Sequence, residues 1–135
     1  MDLMQAVRVS ASGMAAQSVR TKIIAENIAN ADSIQSSDGG PYRRQIVSFK
    51  SEVDRQTGLS KVKVHSIEPD FKTPLRLEYN PSSEYADANG FVQMPNVTSQ
   101  IETADLREAG RAYEANITAI ENAKQMMTRS LDLIR

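Results

Sequence analysis

The chain has 135 residues, a formal net charge of −1, one histidine and no cysteine. This length suits one ordinary domain, and the balanced charge gives no broad attraction to nucleic acid or to anionic membranes. The absence of cysteine excludes disulfides and thiolate metal sites. The single histidine, His65, lies on the polar face of a predicted strand and is interpreted as a surface residue. We therefore expect no catalytic residues, no cofactor and no bound metal, and hence a protein that is not an enzyme.

The N-terminal sequence MDLMQAVRVSASGMAAQ lacks a basic region followed by a long apolar run. It is therefore not a cleavable secretory signal, and no segment is apolar enough over a sufficient length to span a bilayer. These features indicate a soluble protein, or one that is exported without such a signal. Leu, Ile, Val and Phe together make up roughly 21% of the residues, just above the range that is typical of disorder. We expect the chain to bury part of its apolar surface against a partner.

Residues 1–30 contain no proline and are predicted to form one long helix, about 40 Å in length. Small and apolar side chains recur at alternating spacings of three and four residues, which places them on one stripe of a helix. The stripe consists of Met4, Val7, Ala11, Met14, Ser18, Thr21, Ala25 and Ile28. Asn30 is interpreted as a helix stop, whereas Asn27 lies about one turn earlier and is not explained in this way.

Residues 31–98 hold all five prolines and most of the aromatic residues, and they are predicted to form a loop and a small β-rich region. The stretches YRRQIVSFK, SKVKVHSI and TPLRLEY are read as short strands, and Asn89-Gly90 as a tight turn, in one small sheet of three or four strands. Arg43 and Arg44 are interpreted as exposed charges that protect an edge strand, in preference to a nucleic-acid contact.

Residues 99–135 are also free of proline and are predicted to form a second long helix, about 50 Å in length. A heptad rhythm runs through this segment and is typical of a coiled-coil-like seam. The seam consists of Leu106, Gly110, Tyr113, Ile117, Ile120, Lys124, Met127, Leu131 and Ile134. The predicted fold class is therefore mainly α, with a small β insert between two long terminal helices.

Two motifs at opposite ends of the chain resemble those of the bacterial flagellar axial proteins, the rod and hook group. The N-terminal motif is SASGMAAQ, followed by Arg20 and AENIANADS, and the C-terminal motif is RAYEANITAIENAKQMM. The middle stretches GGPYRRQ and DANGFVQMPNV resemble the proximal rod proteins within that group, so the resemblance covers most of the chain. Met14 and Ser33 depart from the family pattern, in which leucine and threonine are usual.

The resemblance implies a structural subunit of the flagellar basal-body rod, in its proximal part. Members of the group pair their terminal helices as a coiled coil and stack into a hollow helical shaft that crosses the periplasm and transmits motor torque. They leave the cell through the flagellar type III export apparatus without a cleaved signal. The implied partners are other copies of the chain, neighbouring rod proteins, the export apparatus, and the proteins at the junction of the MS ring and the export gate. Neither nucleic acid nor direct membrane insertion is implied.

The family motifs and the heptad pattern together predict the assembly interface. On the N-terminal helix it comprises Val7, Met14, Arg20, Asn27, Ile28 and Asn30. On the C-terminal helix it comprises Leu106, Arg111, Tyr113, Asn116, Ile117, Ile120, Met127, Leu131 and Ile134. The family-specific middle motif comprises Gly39, Gly40, Pro41, Tyr42, Arg43 and Arg44. The resemblance implies that Asn27 holds contacts between packed subunits, and the sequence leaves open whether its partner lies in its own chain or in a neighbour.

Two alternatives to a proximal rod subunit remain open from the sequence. One is a sibling rod protein of the same group, which the GGPYRRQ stretch disfavours. The other is a cytoplasmic helical adaptor that binds a coiled-coil partner, which the composition alone permits. An enzyme is the least favoured class, because the chain has one histidine, no cysteine and no nucleophile motif.

Overall fold

The computed structural model describes residues 2–37 and 39–134 of the chain. Two long helices flank four short strands, which confirms the prediction of a small β region between terminal helices. In chain order the elements are α1 (Leu3–Ala29), β1 (Gln45–Val53), β2 (Ser60–Pro69), β3 (Arg76–Tyr79), β4 (Phe91–Met94) and α2 (Ser99–Asp132). No helix in the described part of the chain has both the length and the apolar character that crossing a membrane requires.

The chain divides into two compact units. The first unit takes in the chain up to Thr21, the segment Val47–Ser66 and the chain from Arg107 onward. The second unit takes in Lys22–Ile46 and Ile67–Leu106. Each unit therefore combines pieces of both helices with part of the middle region. The division of the sequence into residues 1–30, 31–98 and 99–135 follows composition instead, and it stays a prediction about assembly.

The four strands form two two-stranded sheets, so the expectation of one small sheet was wrong. β1 pairs with β2, and β3 pairs with β4 in antiparallel register with Tyr79 opposite Phe91. A strand pattern reports a half-buried extended segment and does not say which strands pair, which explains the error. The expected turn at Asn89-Gly90 is present. Within this turn Gly90 has a positive φ of 83°, and Asn89 does not.

In the first unit, α1 and α2 approach each other closely and run antiparallel. A Cβ atom added to Gly13 would lie 3.0 Å from the side-chain amide of Asn116. Further along, Arg20 Nη2 lies 3.7 Å from Glu108 Oε2, so the two helices progress in opposite directions. A helix backbone can approach a neighbour this closely only where the facing residue lacks a bulky side chain.

The helix faces that are buried within the chain differ from the stripes predicted from the sequence. On α2 the buried residues of the first unit are Ala109 and Ala123, whereas the neighbouring heptad residues Gly110 and Lys124 are exposed. On α1, Ala16 is buried although it does not belong to the predicted stripe. Ser18, which does belong to the stripe, is exposed. Small side chains permit close helix packing, so Ala109 and Ala123 of α2 are buried, whereas the larger heptad residues Leu106, Ile117 and Ile120 are partly buried.

The β1–β2 sheet packs on α1 in the first unit through a serine hydroxyl. Ser12 Oγ accepts a hydrogen bond from Val62 N at 3.1 Å and donates one to Val9 O at 2.6 Å. Between the two strands, the hydroxyls of Ser48 and Ser66 lie 2.7 Å apart. These contacts satisfy polar groups of the sheet where it meets the helix, so the polar face of α1 also contributes to packing.

The two helical glycines provide a direct test of the close approach at Gly13. Gly110 has no atom within 4 Å of an added Cβ, so Gly110→Ala should stabilise the helix by about 0.5–1 kcal/mol through helix propensity. Gly13→Ala gains the same propensity but forces the Asn116 amide to move, so we expect it to be about 1 kcal/mol less stable than Gly110→Ala. Urea unfolding of the purified variants measures both values, and equal stabilisation would contradict the close approach.

Candidate assembly site

Asn27 lies in the last turns of α1 and is almost completely buried, with 1% of its surface exposed. Its Nδ2 donates to Gln45 O at 2.9 Å and to Glu102 Oε2 at 3.1 Å. Its Oδ1 accepts from Tyr42 Oη at 2.8 Å and from Gln45 N at 2.9 Å. A side-chain amide offers two donors and two acceptor positions, and all four are used here. Asn27 therefore joins the end of α1 to the beginning of β1 and to the first turns of α2.

Glu102 is the largest fully buried side chain in the described part of the chain, with 1% exposure. It lies in the first turn of α2, where a negative charge is favourable near the positive end of the helix dipole. One carboxylate oxygen accepts from Asn27, and the other accepts from Arg44 Nε in a short ion pair. Arg44 also reaches Asp105 Oδ2 at 3.3 Å through Nη2. The buried charge thus has both a cationic and a neutral partner, as burial of a carboxylate requires.

Asn96 extends this arrangement towards the segment that follows β2. Its Oδ1 accepts from Arg44 N at 2.8 Å, and its Nδ2 donates to Asp70 O at 2.9 Å and to Thr73 O at 3.0 Å. We call the set Asn27, Tyr42, Arg44, Asn96 and Glu102 the polar hub. All of its members belong to the second unit.

Asp70 organises the turn beside the polar hub. Its Oδ1 accepts from the backbone N–H groups of Lys72 at 2.9 Å and Thr73 at 3.0 Å, and its Oδ2 accepts from Thr73 Oγ1 at 2.7 Å. The hydrogen bond from the Thr73 hydroxyl is the main cause that lowers the pKa of the Asp70 carboxyl, and the Arg44 charge adds to it. Burial of Tyr42, followed by the nearby Glu26 and Glu102 carboxylates, raises the pKa of that phenol.

The arrangement of the polar hub is structural in character. Every polar side-chain atom described above is engaged by another group of the same chain, which leaves no free nucleophile or base at its centre. Within residues 2–37 and 39–134, no group of three or more histidine, aspartate or glutamate side chains is placed to hold a metal ion. The polar hub can hold three chain segments in one arrangement, and this structural role is what its geometry supports.

Three of the residues predicted from the sequence meet in the polar hub, namely Asn27, Tyr42 and Arg44. The interpretation of Arg44 as an exposed charge on an edge strand was wrong, because its guanidinium pairs with the buried Glu102. Arg43 is also partly buried; it donates to Asp70 O at 3.4 Å and lies 5.0 Å from the ring centroid of Phe71. The sequence left open where the partners of Asn27 lie; in the structure its side chain makes four hydrogen bonds within its own chain, and its role in assembly stays a prediction.

The other residues of the predicted assembly interface lie at varied depths, and their role in assembly stays a prediction. Partly buried are Val7, Met14, Arg20, Ile28, Asn30, Leu106, Asn116, Ile117, Ile120 and Met127. Exposed are Arg111, Tyr113, Leu131 and Ile134. In the middle motif, Gly39 and Gly40 have φ values of 79° and 88°, which glycine adopts without steric cost, and Pro41 follows them.

Asn30 lies directly after the end of α1, in agreement with its interpretation as a helix stop. Its Nδ2 donates to Glu26 O at 2.9 Å, and its Oδ1 accepts from Ser33 Oγ at 3.1 Å. No residue other than glycine has a positive φ in the described part of the chain, so Asn30 ends the helix through these bonds and not through a left-handed conformation.

Three functional residues were missed from the sequence: Asp70, Asn96 and Glu102. Glu102 lies at the polar start of the second predicted helix, where a glutamate normally faces solvent. Its partner Arg44 lies 58 residues earlier, and no local pattern connects them. A signal was available only for Asn96, which falls within the DANGFVQMPNV stretch that carries part of the family resemblance.

Comparisons with known proteins match both ends and the whole length of the chain. Residues 7–33 match a family model described as Flagella basal body rod protein, and residues 88–133 match one described as Flagellar basal body rod FlgEFG protein C-terminal. The chain is 42% identical to the flagellar basal-body rod protein FlgC of Agrobacterium fabrum, over 98% of this chain and 96% of that protein. It is 39% identical to the FlgC protein of Salmonella typhimurium, over 98% of each chain, and 37% identical to that of Borreliella burgdorferi, over 100% and 99%.

The chain belongs to the flagellar basal-body rod protein FlgC family. The resemblance found in the terminal motifs is thereby confirmed, and the middle stretches that favoured the proximal rod proteins over their siblings agree with it. The rod-family model at the N-terminus ends at residue 33, so it includes Asn27 of the polar hub and Asn30. The C-terminal model begins at residue 88 and includes Asn96 and Glu102. The polar hub therefore joins the two segments by which members of the rod family are recognised.

Two substitutions of the same kind on α2 test the polar hub. Glu102→Gln removes the charge that pairs with Arg44, and we expect it to lower the free energy of unfolding by about 2 kcal/mol, since hydrogen bonds to charged groups are the strong ones. Glu108→Gln is the matched control, because Glu108 is 71% exposed and an exposed ion pair contributes less than about 1 kcal/mol. Urea unfolding of both variants gives the comparison, and equal losses would show that the hub is not a source of stability.

The lowered pKa of Asp70 predicts a dependence of stability on pH. A carboxyl with a lowered pKa in the folded state stabilises the fold above its ordinary pKa of 3.8, and this contribution is lost as the pH falls through the folded-state value. Asp70→Asn should therefore reduce the thermal midpoint at pH 7, and its difference from the unmodified chain should shrink below pH 3.8. Asp32→Asn, at a side chain that is 90% exposed, serves as the control. A difference that stays constant down to acid pH would refute this account of Asp70.

Proposed function

We propose that the chain is a structural subunit of the bacterial flagellar basal-body rod, in its proximal part. The observation that carries this function is identity of 36–42% to basal-body rod proteins over nearly the full length of the chain. In this proposal, copies of the chain and neighbouring rod proteins assemble into a hollow helical shaft that transmits motor torque. The protein catalyses no reaction, and its mechanism is the transfer of mechanical load through contacts between subunits.

Apolar side chains near the end of α2 support a role in assembly. Leu131 is 66% exposed and Leu133 is 88% exposed, and Met126, earlier in the same helix, is 54% exposed. Several large apolar side chains exposed near the end of one helix are typical of a surface that contacts another protein. In the proposed rod, neighbouring subunits cover this part of α2.

A coiled-coil pairing of the two terminal helices is part of the proposal. It is supported in the first unit by the antiparallel approach of α1 and α2 at Gly13 and Asn116 and at Arg20 and Glu108. The heptad rhythm of α2 supports it independently. In the assembled rod, the interface residues predicted from the sequence would lie between these helix pairs, with Ile120 near the middle of the seam.

The polar hub is proposed to give each subunit a fixed shape under load. Buried polar groups that are fully hydrogen-bonded specify one arrangement of the chain, because any shift leaves a buried donor or acceptor without a partner. Asn27 and Glu102 are such groups, and they connect the two helices within the second unit. The hub therefore contributes to assembly through the shape of the subunit and not through direct contact with a neighbour.

The proposed location is the rod of the basal body, within the periplasm. The chain would reach this location through the flagellar type III export apparatus, without a cleaved signal peptide. Its proposed partners are other copies of itself, neighbouring rod proteins, and proteins at the junction of the MS ring and the export gate. No contact with nucleic acid and no insertion into the membrane form part of this proposal.

A charge placed on the seam of α2 tests the assembly function. Ile120 is partly buried, and Ile120→Asp should block incorporation, because burial of an unpaired charge in the assembled interface costs several kcal/mol. Asn122→Asp adds the same charge at an exposed position of the same helix, two residues away and off the seam, and is the matched control.

The readouts are motility and the amount of the protein in isolated basal bodies, in cells that lack the unmodified chain. We expect Asn122→Asp to be incorporated and Ile120→Asp to be absent from the basal bodies. Normal assembly of the Ile120→Asp variant would contradict the proposed seam on α2. Recovery of the unmodified chain with a cytosolic partner, and not in basal bodies, would overturn the proposed function as a whole.

A further inference from the structure

A cleft with both apolar and polar lining opens on the second unit, beside the β3–β4 sheet, and its polar side chains are Gln35, Asp87 and Gln93. It has a volume of about 280 Å³, and its walls include Ile34, Pro41, Leu77, Tyr85 and Phe91. This volume is at the lower edge of the range for small-molecule sites, roughly 300–1,000 Å³, so it suits one or two side chains better than a cofactor. The polar hub lies in the same unit but contributes none of these lining residues.

The wall of the cleft is firmly built, although its aromatic side chains remain exposed. Tyr79 and Phe91 face each other across the β3–β4 pair with ring centroids 5.4 Å apart in an edge-to-face arrangement. Gly90 lies against this pair, because an added Cβ would come within 2.9 Å of the Tyr79 ring. Tyr85 is nevertheless 49% exposed and Phe91 is 39% exposed. A rigid aromatic surface that stays accessible is the kind of surface that binds a protein partner.

The segment from Leu77 to Gln93, which forms part of the cleft, is negatively charged, and the neighbouring Arg76 is paired with Asp32 at 3.8 Å. Between Leu77 and Gln93 the sequence carries Glu78, Glu84 and Asp87, and it carries no lysine or arginine. Glu84 lies beside the cleft, and its carboxylate raises the pKa of the Tyr85 phenol. A partner for this cleft should therefore present an apolar side chain with positive charge next to it.

The tip of the β1–β2 sheet in the first unit has this combination. Val53 is 58% exposed at the end of β1, and Arg55 follows it at an exposed position. Between residues 47 and 66 the sequence carries four basic side chains against two acidic ones. Lys61 and Lys63 are paired with Asp54 and Glu52, at 2.5 and 2.9 Å, which leaves an excess of positive charge at the tip.

We propose that the cleft beside β3–β4 binds the β1–β2 tip of a second copy of the same chain, with Val53 inserted next to Tyr85 and Arg55 facing Glu84. This inference rests on the proposed function and names one of its subunit contacts. The two surfaces are different parts of the chain, so the contact is heterologous. Each copy can therefore donate its tip to one neighbour and accept the tip of another, which produces a continuous row of subunits.

Disulfide trapping tests the contact, because the chain has no cysteine of its own. The double variant Val53→Cys with Tyr85→Cys should form, on mild oxidation of isolated basal bodies, a ladder of covalently linked multimers. The matched control pairs Val53→Cys with Thr118→Cys, an exposed position on α2 that is not part of the cleft, and should form no ladder. The two single variants Val53→Cys and Tyr85→Cys should also form none.

The outcomes separate this inference from the proposed function. Presence of the double variant in basal bodies without a ladder would overturn the contact and leave the rod function standing. A disulfide within one chain would likewise overturn it, as would capture of a different protein by a photo-reactive residue placed at Tyr85. Absence of the unmodified chain from basal bodies would overturn both proposals.

Reversal of the charges of Arg55 and Glu84 provides a second test of the contact, and both of these residues are exposed. Arg55→Glu and Glu84→Lys, each in the double-cysteine chain, should lower the yield of multimers by about two- to fivefold, as expected for loss of an exposed ion pair. The two reversals combined should restore the yield. Failure of the combined variant to recover would contradict the pairing of Arg55 with Glu84.

Discussion

Burial of the Glu102 carboxylate is the constraint on which the second unit depends. A charge that is 1% exposed is tolerated only when partners replace the water it has lost. Those partners come from distant parts of the chain, Arg44 at the start of the middle region and Asn27 near the end of α1. The requirement to satisfy one carboxylate therefore fixes the end of one helix, the start of the other and the strand between them.

Satisfaction of these groups within one chain also limits what they can contribute to assembly. Asn27 uses all of its hydrogen-bonding capacity on Tyr42, Gln45 and Glu102, so it has none left for a neighbour. A residue of this kind defines the shape of a subunit, and contact between subunits has to come from other surfaces. The exposed apolar residues near the end of α2 are such a surface in the proposed rod. In the proposed rod, the residues that fix the shape of the subunit therefore differ from the residues that contact neighbouring subunits.

The sequence predicted the elements well because their signals are local. Long stretches without proline predicted both helices, three short stretches were predicted as strands, and Asn89-Gly90 was predicted as a turn. The pairing of the strands and the partner of Arg44 were missed, because both depend on contacts between residues far apart in the chain. Two adjacent arginines on a predicted edge strand carry no information about a carboxylate 58 residues later. The family motifs located Asn27 and Arg44, but only the structure connects them through Glu102.

The depth at which the heptad residues lie within the chain bears on the proposed assembly. Heptad patterns give most weight to large apolar residues, yet within the chain α2 buries Ala109 and Ala123 and leaves Leu131 exposed. On α1, Gly13 leaves room for the side chain of Asn116, whose amide would lie 3.0 Å from a Cβ added to the glycine. The large heptad residues are partly buried or exposed within the chain, so complete burial of their side chains would require another chain. In the proposed rod, the heptad face of α2 therefore serves both the pairing of α2 with α1 and the contact with neighbouring subunits.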